Sequence, residues 1–238
     1  MEKDNRYTFD GRIRFSEVDR SKRLTLPGII NYFQDCSTFQ SESLGLGVDY
    51  AKEHRRGWVL SAWQIVIERY PSLGEWIRTS TWATQFQGLL GLRNFCIQDG
   101  QGKMAAYANS VWAYMDMNKG RPTRPKKEET ELYGTGRPLS MAYDSRKISF
   151  PEKAESLEAF PVRKCQIDTN EHVNNCQYVQ MALEVLPREM EVHNLRVEYK
   201  KSALYGDVIY PKLACEDDRI AVALCDGTGR HYAVIELR

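Results

Sequence analysis

The chain matches itself. Laid down without a gap, residues 64–77, QIVIERYPSLGEWI, fall on residues 196–209, RVEYKKSALYGDVI. Each stretch reads as an alternating strand, a turn closing on Leu or Tyr, Gly and an acid, and a second strand. Further on, DGQGK at 99–103 answers to DGTGR at 226–230, each between two β-rich runs. A DGxG is a hairpin signal, because glycine supplies the positive φ that tight turns need. Upstream, each half carries one helical segment. In TLPGIINYFQDCSTFQSESLG, Thr25 is placed as N-cap and Pro27 in the first turn, with Ile29, Phe33 and Cys36 at helical spacing and Gly45 as the stop. In VNNCQYVQMALEVLP, Val173, Cys176, Leu183 and Leu186 are spaced comparably and Pro187 ends the run. The order in each half is strand, helix, then antiparallel strands. The expected fold class is therefore α+β, a duplicated unit in which one helix packs on a curved antiparallel sheet.

Between the halves, over roughly residues 118–156, the texture changes to NKGRPTRPKKEETE and later DSRKISFPEKAESLE. Proline, charge and weak hydrophobic periodicity mark a connector running along the surface. The expected division is a first domain at 1–130, a linker at 131–156 and a second domain at 157–238. At 238 residues and 42% hydrophobic content, two cores of this size can be filled.

Charge and cysteine usage narrow the function classes. With 33 Lys+Arg against 32 Asp+Glu, the formal charge of +1 argues against bulk attraction to nucleic acid or membrane. The six cysteines show no CxxC pair, so neither a zinc site nor a disulfide framework is indicated, and a reducing, cytoplasmic setting fits. The charged start, MEKDNRYTFDG, leaves no room for a signal or transit peptide, and no apolar run approaches the roughly 20 residues a membrane span needs. His54, His193 and His231 show no HxH or HExxH spacing, so no metal and no cofactor is expected.

The stretch that carries chemistry is IDTNEHVNNCQYV, residues 167–179. If residues 166–172 are extended, the period of two sends Asp168, Asn170 and His172 to the same side. A helix begins directly after them, with Asn174 or Asn175 as N-cap, and its free N–H groups offer a site for developing negative charge. A group to activate water, an amide to orient substrate and an oxyanion site are the parts acyl-group hydrolysis needs. The plainer alternative is that Asp and Asn are caps and the histidine structural. The matching place in the first half, EVDRSKRLTLPGIINYF, has no His and no Asn before its helix, which sets the second copy apart. Cys176, four residues after His172, falls on the apolar stripe, where an inert buried thiol is expected.

Five blocks now give the chain a resemblance to a known family: IRFSEVDRSKRLTLPGIINYFQD, GWVLSAWQIVIERYPSLGEWIRTSTW, SVWAYMDMNKGRPTRPKKE, DTNEHVNNCQY and LRVEYKK. Together they resemble the acyl-acyl carrier protein thioesterases of plants and bacteria, over nearly the whole length and in the right order. HVNNxxY is shared with wider hotdog-fold thioesterases, whereas WQIVIERYP with its Gly-acid turn is far more specific. The resemblance implies two tandem hotdog domains, each a central helix wrapped by a curved antiparallel sheet; separately, the aromatic-rich first half makes the N-terminal domain the expected side for an acyl tunnel. It implies hydrolysis of the thioester between a fatty acyl chain and the phosphopantetheine arm of acyl carrier protein, releasing free fatty acid and ending chain elongation. Catalysis carries over onto Asp168, Asn170 and His172. Asp168 would activate water or attack the carbonyl, His172 and Asn170 would orient the reacting groups, and the helix N-terminus at Val173, Asn174 and Asn175 is the candidate oxyanion site.

One departure bears on mechanism. Where plant members carry a Glu and then a Cys after EYKK, this chain has Ser202 and Ala203. Ala203 cannot be a nucleophile, so water attack assisted by Asp168 and His172 is the simpler account, with Ser202 as a residue that could hold a water. The carrier protein is an acidic partner that HRR at 54–56 or RPTRPKK at 121–127 could dock. Trp58, Trp63, Trp82, Phe33 and Phe39 offer apolar lining for an acyl chain. Two other readings stay open: a thioesterase of coenzyme A esters, which present the same thioester, and a non-catalytic acyl-binding module. Tandem units already supply the pairing that single-unit relatives find in a second chain, so monomer and homodimer are both compatible.

Overall fold

The computed structural model describes residues 5–238, which form two compact units. The first comprises the described residues up to Leu60 together with Ile65–Tyr143, and the second Ser61–Gln64 with Asp144–Arg238. Among the described residues, no helix is long and apolar enough to cross a membrane.

In the first unit the chain runs β1 (Tyr7–Arg12), α1 (Leu26–Ser43), α2 (Val48–His54), β2 (Arg56–Ile67), β3 (Trp76–Gln87), β4 (Leu90–Asp99), β5 (Met104–Asp116), β6 (Arg121–Pro122) and α3 (Lys127–Tyr133). Its strands are ordered β1-β3-β4-β5-β2, with β6 hydrogen-bonded to β5. Thr25 caps α1 by accepting from Gly28 N–H at 3.1 Å, and Pro27 sits in the first turn, where its missing N–H costs nothing. The apolar stripe of α1 buries Ile29, Ile30, Phe33 and Cys36, with the Phe33 ring 5.3 Å from that of Phe95 on β4. Trp82 and Phe33 are fully buried, and so is Trp63, in the short piece of β2 that belongs to the second unit. Phe39 departs from the expected lining: it is 44% exposed and meets Phe9 edge-on.

In the second unit the order is β7 (Glu155–Ser156), β8 (Phe160–Pro161), α4 (Asn175–Glu184), β9 (Asn194–Tyr199), β10 (Val208–Cys215), β11 (Ile220–Cys225) and β12 (His231–Leu237). The sheet runs β9-β12-β11-β10-β7, with β8 on β10. The helix is shorter than its spacing suggested. Val173 precedes it, Leu186 follows it, Leu183 is only half-buried, and the buried face is Cys176, Tyr178, Val179, Met181 and Ala182.

Every residue of β11 is buried, so both faces of that strand are covered. The outer face is covered by the segment expected to be a connector. Ile148 and Phe150 pack on Ala223, Cys225 and Val234, because the short alternation in KISF presents two apolar side chains to the sheet. On the first unit the same kind of strapping occurs. Trp82 Nε1 donates to the Arg137 carbonyl at 2.9 Å, and Asn94 Oδ1 accepts from Leu139 N–H at 2.9 Å and from the Tyr143 hydroxyl at 3.1 Å. The boundary between the units falls between Tyr143 and Asp144, and the segment 131–156 is divided between them.

The internal repeat extends to individual hydrogen bonds. At the DGxG hairpins, Asp99 Oδ1 accepts from Gln101 and Lys103 N–H, and Asp226 Oδ1 accepts from Thr228 and Arg230 N–H, all at 2.9–3.1 Å. Gly102 and Gly229 stand at φ +81° and +83°, which a side chain would strain. At the Gly-acid turns, Glu75 accepts from Ser72 N–H as Asp207 accepts from Leu204 N–H, both at 2.9 Å.

Candidate active site

The residues before α4 form a closed turn. Asp168 N–H donates to the His172 carbonyl at 2.8 Å, Glu171 N–H to the Asp168 carbonyl at 3.0 Å, and Asn170 N–H to Asp168 Oδ1 at 2.8 Å. Ile167 and Val173 pair antiparallel across the base, and Glu171 takes φ +61°. The expectation of an extended run over 166–172 is therefore corrected. A carboxylate that accepts the N–H two residues on offers the backbone an Asx turn in place of a strand ladder. Asp168, Asn170 and His172 are held in one five-residue loop, with Asp168 half-buried and Asn170 and His172 exposed.

Asn174 is the N-cap of α4, its side chain accepting from Cys176 N–H at 2.9 Å. Two of the three amides expected at the oxyanion site already have acceptors. Val173 N–H donates to the Ala203 carbonyl and Asn174 N–H to the Gln166 carbonyl, both at 2.9 Å. Gln177 N–H, one turn in, returns to the Asn174 carbonyl at 2.9 Å. Among the described residues, the Asn175 N–H has no acceptor. The peptide on its other side is fixed, because the Tyr199 hydroxyl donates to the Asn175 carbonyl at 2.9 Å.

The first unit repeats this construction with other side chains. Asp19 N–H donates to the Arg23 carbonyl at 2.8 Å, Lys22 N–H to the Asp19 carbonyl at 2.9 Å, and Ser21 N–H to Asp19 Oδ1 at 2.8 Å. Lys22, like Glu171, has φ +61°. Leu24 N–H donates to the Pro71 carbonyl as Val173 N–H does to that of Ala203. The aspartate thus builds the turn in both copies, and among the side chains exchanged between them four change what stands beside that turn. Asn170 stands for Ser21, His172 for Arg23, Tyr178 for Ile29 and Ala203 for Pro71.

The last two differences are coupled, and sequence reasoning missed them. Tyr178 is 2% exposed, and its hydroxyl accepts from Ala203 N–H at 2.8 Å. Burial pushes this hydroxyl up to about 12; the bond from Ala203 opposes the rise, and the charges of Asp168 and Asp207 add to it. Pro71 has no N–H to satisfy, so Ile29 serves in the first copy. The signal lay in the self-match, where a proline and an isoleucine are exchanged together for an alanine and a tyrosine. Tyr178→Phe should leave the buried Ala203 amide unpaired and cost about 1–3 kcal/mol, lowering the thermal midpoint by roughly 2–4 °C per kcal/mol. Adding Ala203→Pro should return part of that loss, so a double-mutant cycle by thermal or urea melting that proves additive would break the coupling argued here.

Ser202 is exposed and lies one residue before Ala203, which is fully buried. Cys176 is 1% exposed, and burial pushes its thiol up to about 12, so it is not a thiolate near neutral pH.

Comparison with known proteins bears on the whole chain. Residues 4–133 match the family model of the acyl-ACP thioesterase N-terminal domain, and residues 150–225 that of the C-terminal domain. An oleoyl-acyl carrier protein thioesterase, chloroplastic, of Coriandrum sativum is 26% identical over 249 residues, covering 93% of this chain and 66% of its own length. A palmitoyl-acyl carrier protein thioesterase of Cuphea hookeriana is 28% identical over 207 residues, covering 79% of this chain and 50% of its own length. The chain thus spans between half and two thirds of these relatives. Among solved structures, an acyl-ACP thioesterase from Bacteroides thetaiotaomicron superposes with a TM-score of 0.88 at 22% identity, over 98% of this chain and 97% of its own. The 12:0-ACP thioesterase from Umbellularia californica gives 0.84 at 19%, over 98% and 96%. These likenesses establish the fold, two tandem hotdog domains. With both domain models matched in order along the chain, the protein belongs to the acyl-ACP thioesterase family.

Proposed function

We propose that the protein hydrolyses the thioester joining a fatty acyl chain to the phosphopantetheine arm of acyl carrier protein, releasing free fatty acid and ending chain elongation. The observation that carries this reading is the comparison of the two turns. The same backbone is built twice, and only the copy in the second unit places an amide and an imidazole beside the aspartate. A turn needed for folding alone would not require them.

In the proposed mechanism, a water held by Asn170 and His172 attacks the thioester carbonyl as Asp168 takes its proton. One carboxylate oxygen, Oδ1, is committed to the Asn170 N–H, which leaves Oδ2 as the base. The oxyanion that forms faces Asn175 N–H, the first-turn amide without an acceptor, where the helix dipole also favours negative charge. Collapse breaks the carbon–sulfur bond, and the departing thiolate takes up the proton that Asp168 received. Ser202, exposed beside Ala203, would hold a second water. Neither Ala203, which has no thiol, nor the buried Cys176 serves as nucleophile. The six free cysteines support a reducing compartment such as the cytoplasm.

Thiol release from a chain-length series of carrier-protein esters, run beside the matching coenzyme A esters, tests the reading. The expected result is turnover with a higher kcat/KM on the carrier esters. Preference for the coenzyme A esters would move the assignment to that substrate class. Absence of turnover on every ester by the folded protein would replace it with acyl binding.

A further inference from the structure

The two basic runs that stand apart in the sequence, at 54–56 and 121–127, meet in the first unit. Arg56, at the start of β2, lines an open cavity of about 450 Å³ with Lys119, Arg121 and Arg124, which lie in and just after the β5–β6 hairpin. Leu89, Asp116, Pro122 and Thr123 complete the lining. The hairpin brings these cations together because Asp116 pairs with Arg121 across it and Gly120 turns the chain at φ +59°.

Asp116 is the one carboxylate among the lining residues, and it is spoken for. Its Oδ1 accepts from Asn118 and Lys119 N–H at 3.1 Å each, and its Oδ2 lies 3.9 Å from Arg56. Among the described residues, Lys119, Arg121 and Arg124 pair with no carboxylate. On a chain of formal charge +1, three such cations around one cavity are a local concentration that calls for an anionic partner.

The geometry also selects the kind of anion. A phosphate cradle uses converging backbone N–H groups, and here the amides of the turn already serve Asp116. The cations are exposed and spread around Leu89, itself 39% exposed, and Pro122. Flexible charges ringing a small apolar patch suit several carboxylates on a protein face, where they set encounter rate and orientation.

We propose that this cavity is the docking site of an acidic protein surface, and that the partner is the carrier protein that delivers the acyl thioester. The proposal rests on the function put forward above. Its test is the double charge reversal Arg121→Glu with Arg124→Glu, assayed on an acyl carrier-protein ester and on acyl-pantetheine, which has the same thioester without the protein. The variant should lose at least about tenfold more kcat/KM on the carrier ester than on acyl-pantetheine, with the extra loss in KM, and wild-type KM on the carrier ester should rise with salt. Equal losses on the two substrates, or no loss, would overturn the docking site while leaving the hydrolase reading intact. If the wild type cleaves neither ester, that reading fails, and docking is then decided by fluorescence anisotropy of labelled carrier protein. Binding that the reversal weakens by about tenfold supports the site, and no binding by the wild type overturns it.

Discussion

Asp168→Asn should lower kcat on the preferred acyl ester by at least about a hundredfold while leaving the fold almost untouched. The asparagine side-chain oxygen can still accept from the Asn170 N–H, so the turn that Asp168 closes at 2.8 Å is kept and only the basic carboxylate is removed. Asp168→Ala removes both and should add a loss of about 1–2 kcal/mol in stability. The first unit supplies the control. Asp19 accepts from Ser21 and Arg23 N–H in the corresponding turn, and Asp19→Ala should cost a similar 1–2 kcal/mol, roughly 2–4 °C in thermal midpoint per kcal/mol, with kcat at permissive temperature held within about twofold. His172→Ala belongs in the same series, with an expected loss of about a hundredfold and no change in melting. Melting curves and steady-state kinetics on these variants separate what the turn does for folding from what it does for chemistry. Retained turnover in Asp168→Asn would reduce Asp168 to a turn-former and move the base to His172.

The repeat made the fold legible because its punctuation is local. Thr25, Pro27 and the two DGxG hairpins act through bonds within a few residues, and each acts as its spelling suggests. The candidate site was legible in its residue types but not in its shape. Alternating polar residues spell a strand by period, yet Asp168 and Glu171 convert the run into a turn through one side-chain bond and one positive φ, which periodicity does not encode. The amides expected at an oxyanion site illustrate a different limit. Val173 and Asn174 look free beside a helix start, but their acceptors, Ala203 and Gln166, are set by tertiary pairing. The packing of the connector was illegible for the same reason: Ile148 and Phe150 carry too short a pattern to stand out, and only the sheet they cover makes sense of them.

The largest stability effect is expected at Glu236 on β12, whose side chain is 2% exposed and meets three guanidinium groups. Arg219 Nη1 lies at 2.7 Å, Arg196 Nη1 at 3.1 Å and Arg238 Nη2 at 3.3 Å. Arg196 in turn donates to the carbonyls of Ser145 and Lys147, so this cluster ties the covering segment to the sheet that also carries Tyr199 and, through it, the start of α4. Burial by itself raises the Glu236 pKa, but Arg219 and Arg196 outweigh it and hold the carboxyl below its usual range. Glu236→Gln keeps the volume and leaves the guanidinium groups facing one another, at a cost of about 3 kcal/mol near pH 7, or roughly 6–12 °C in thermal midpoint. A depressed carboxylate pKa contributes stability that is fully present above the unfolded value, about 4.3, and is lost as pH falls through the folded value. The gap between wild type and Glu236→Gln, read by denaturant melts at stepped pH, should therefore close as the pH drops below the folded pKa, because protonated glutamate and glutamine then present the same neutral group. A gap of undiminished size in acid would assign the loss to packing, and the charge cluster would no longer explain how this sheet is held.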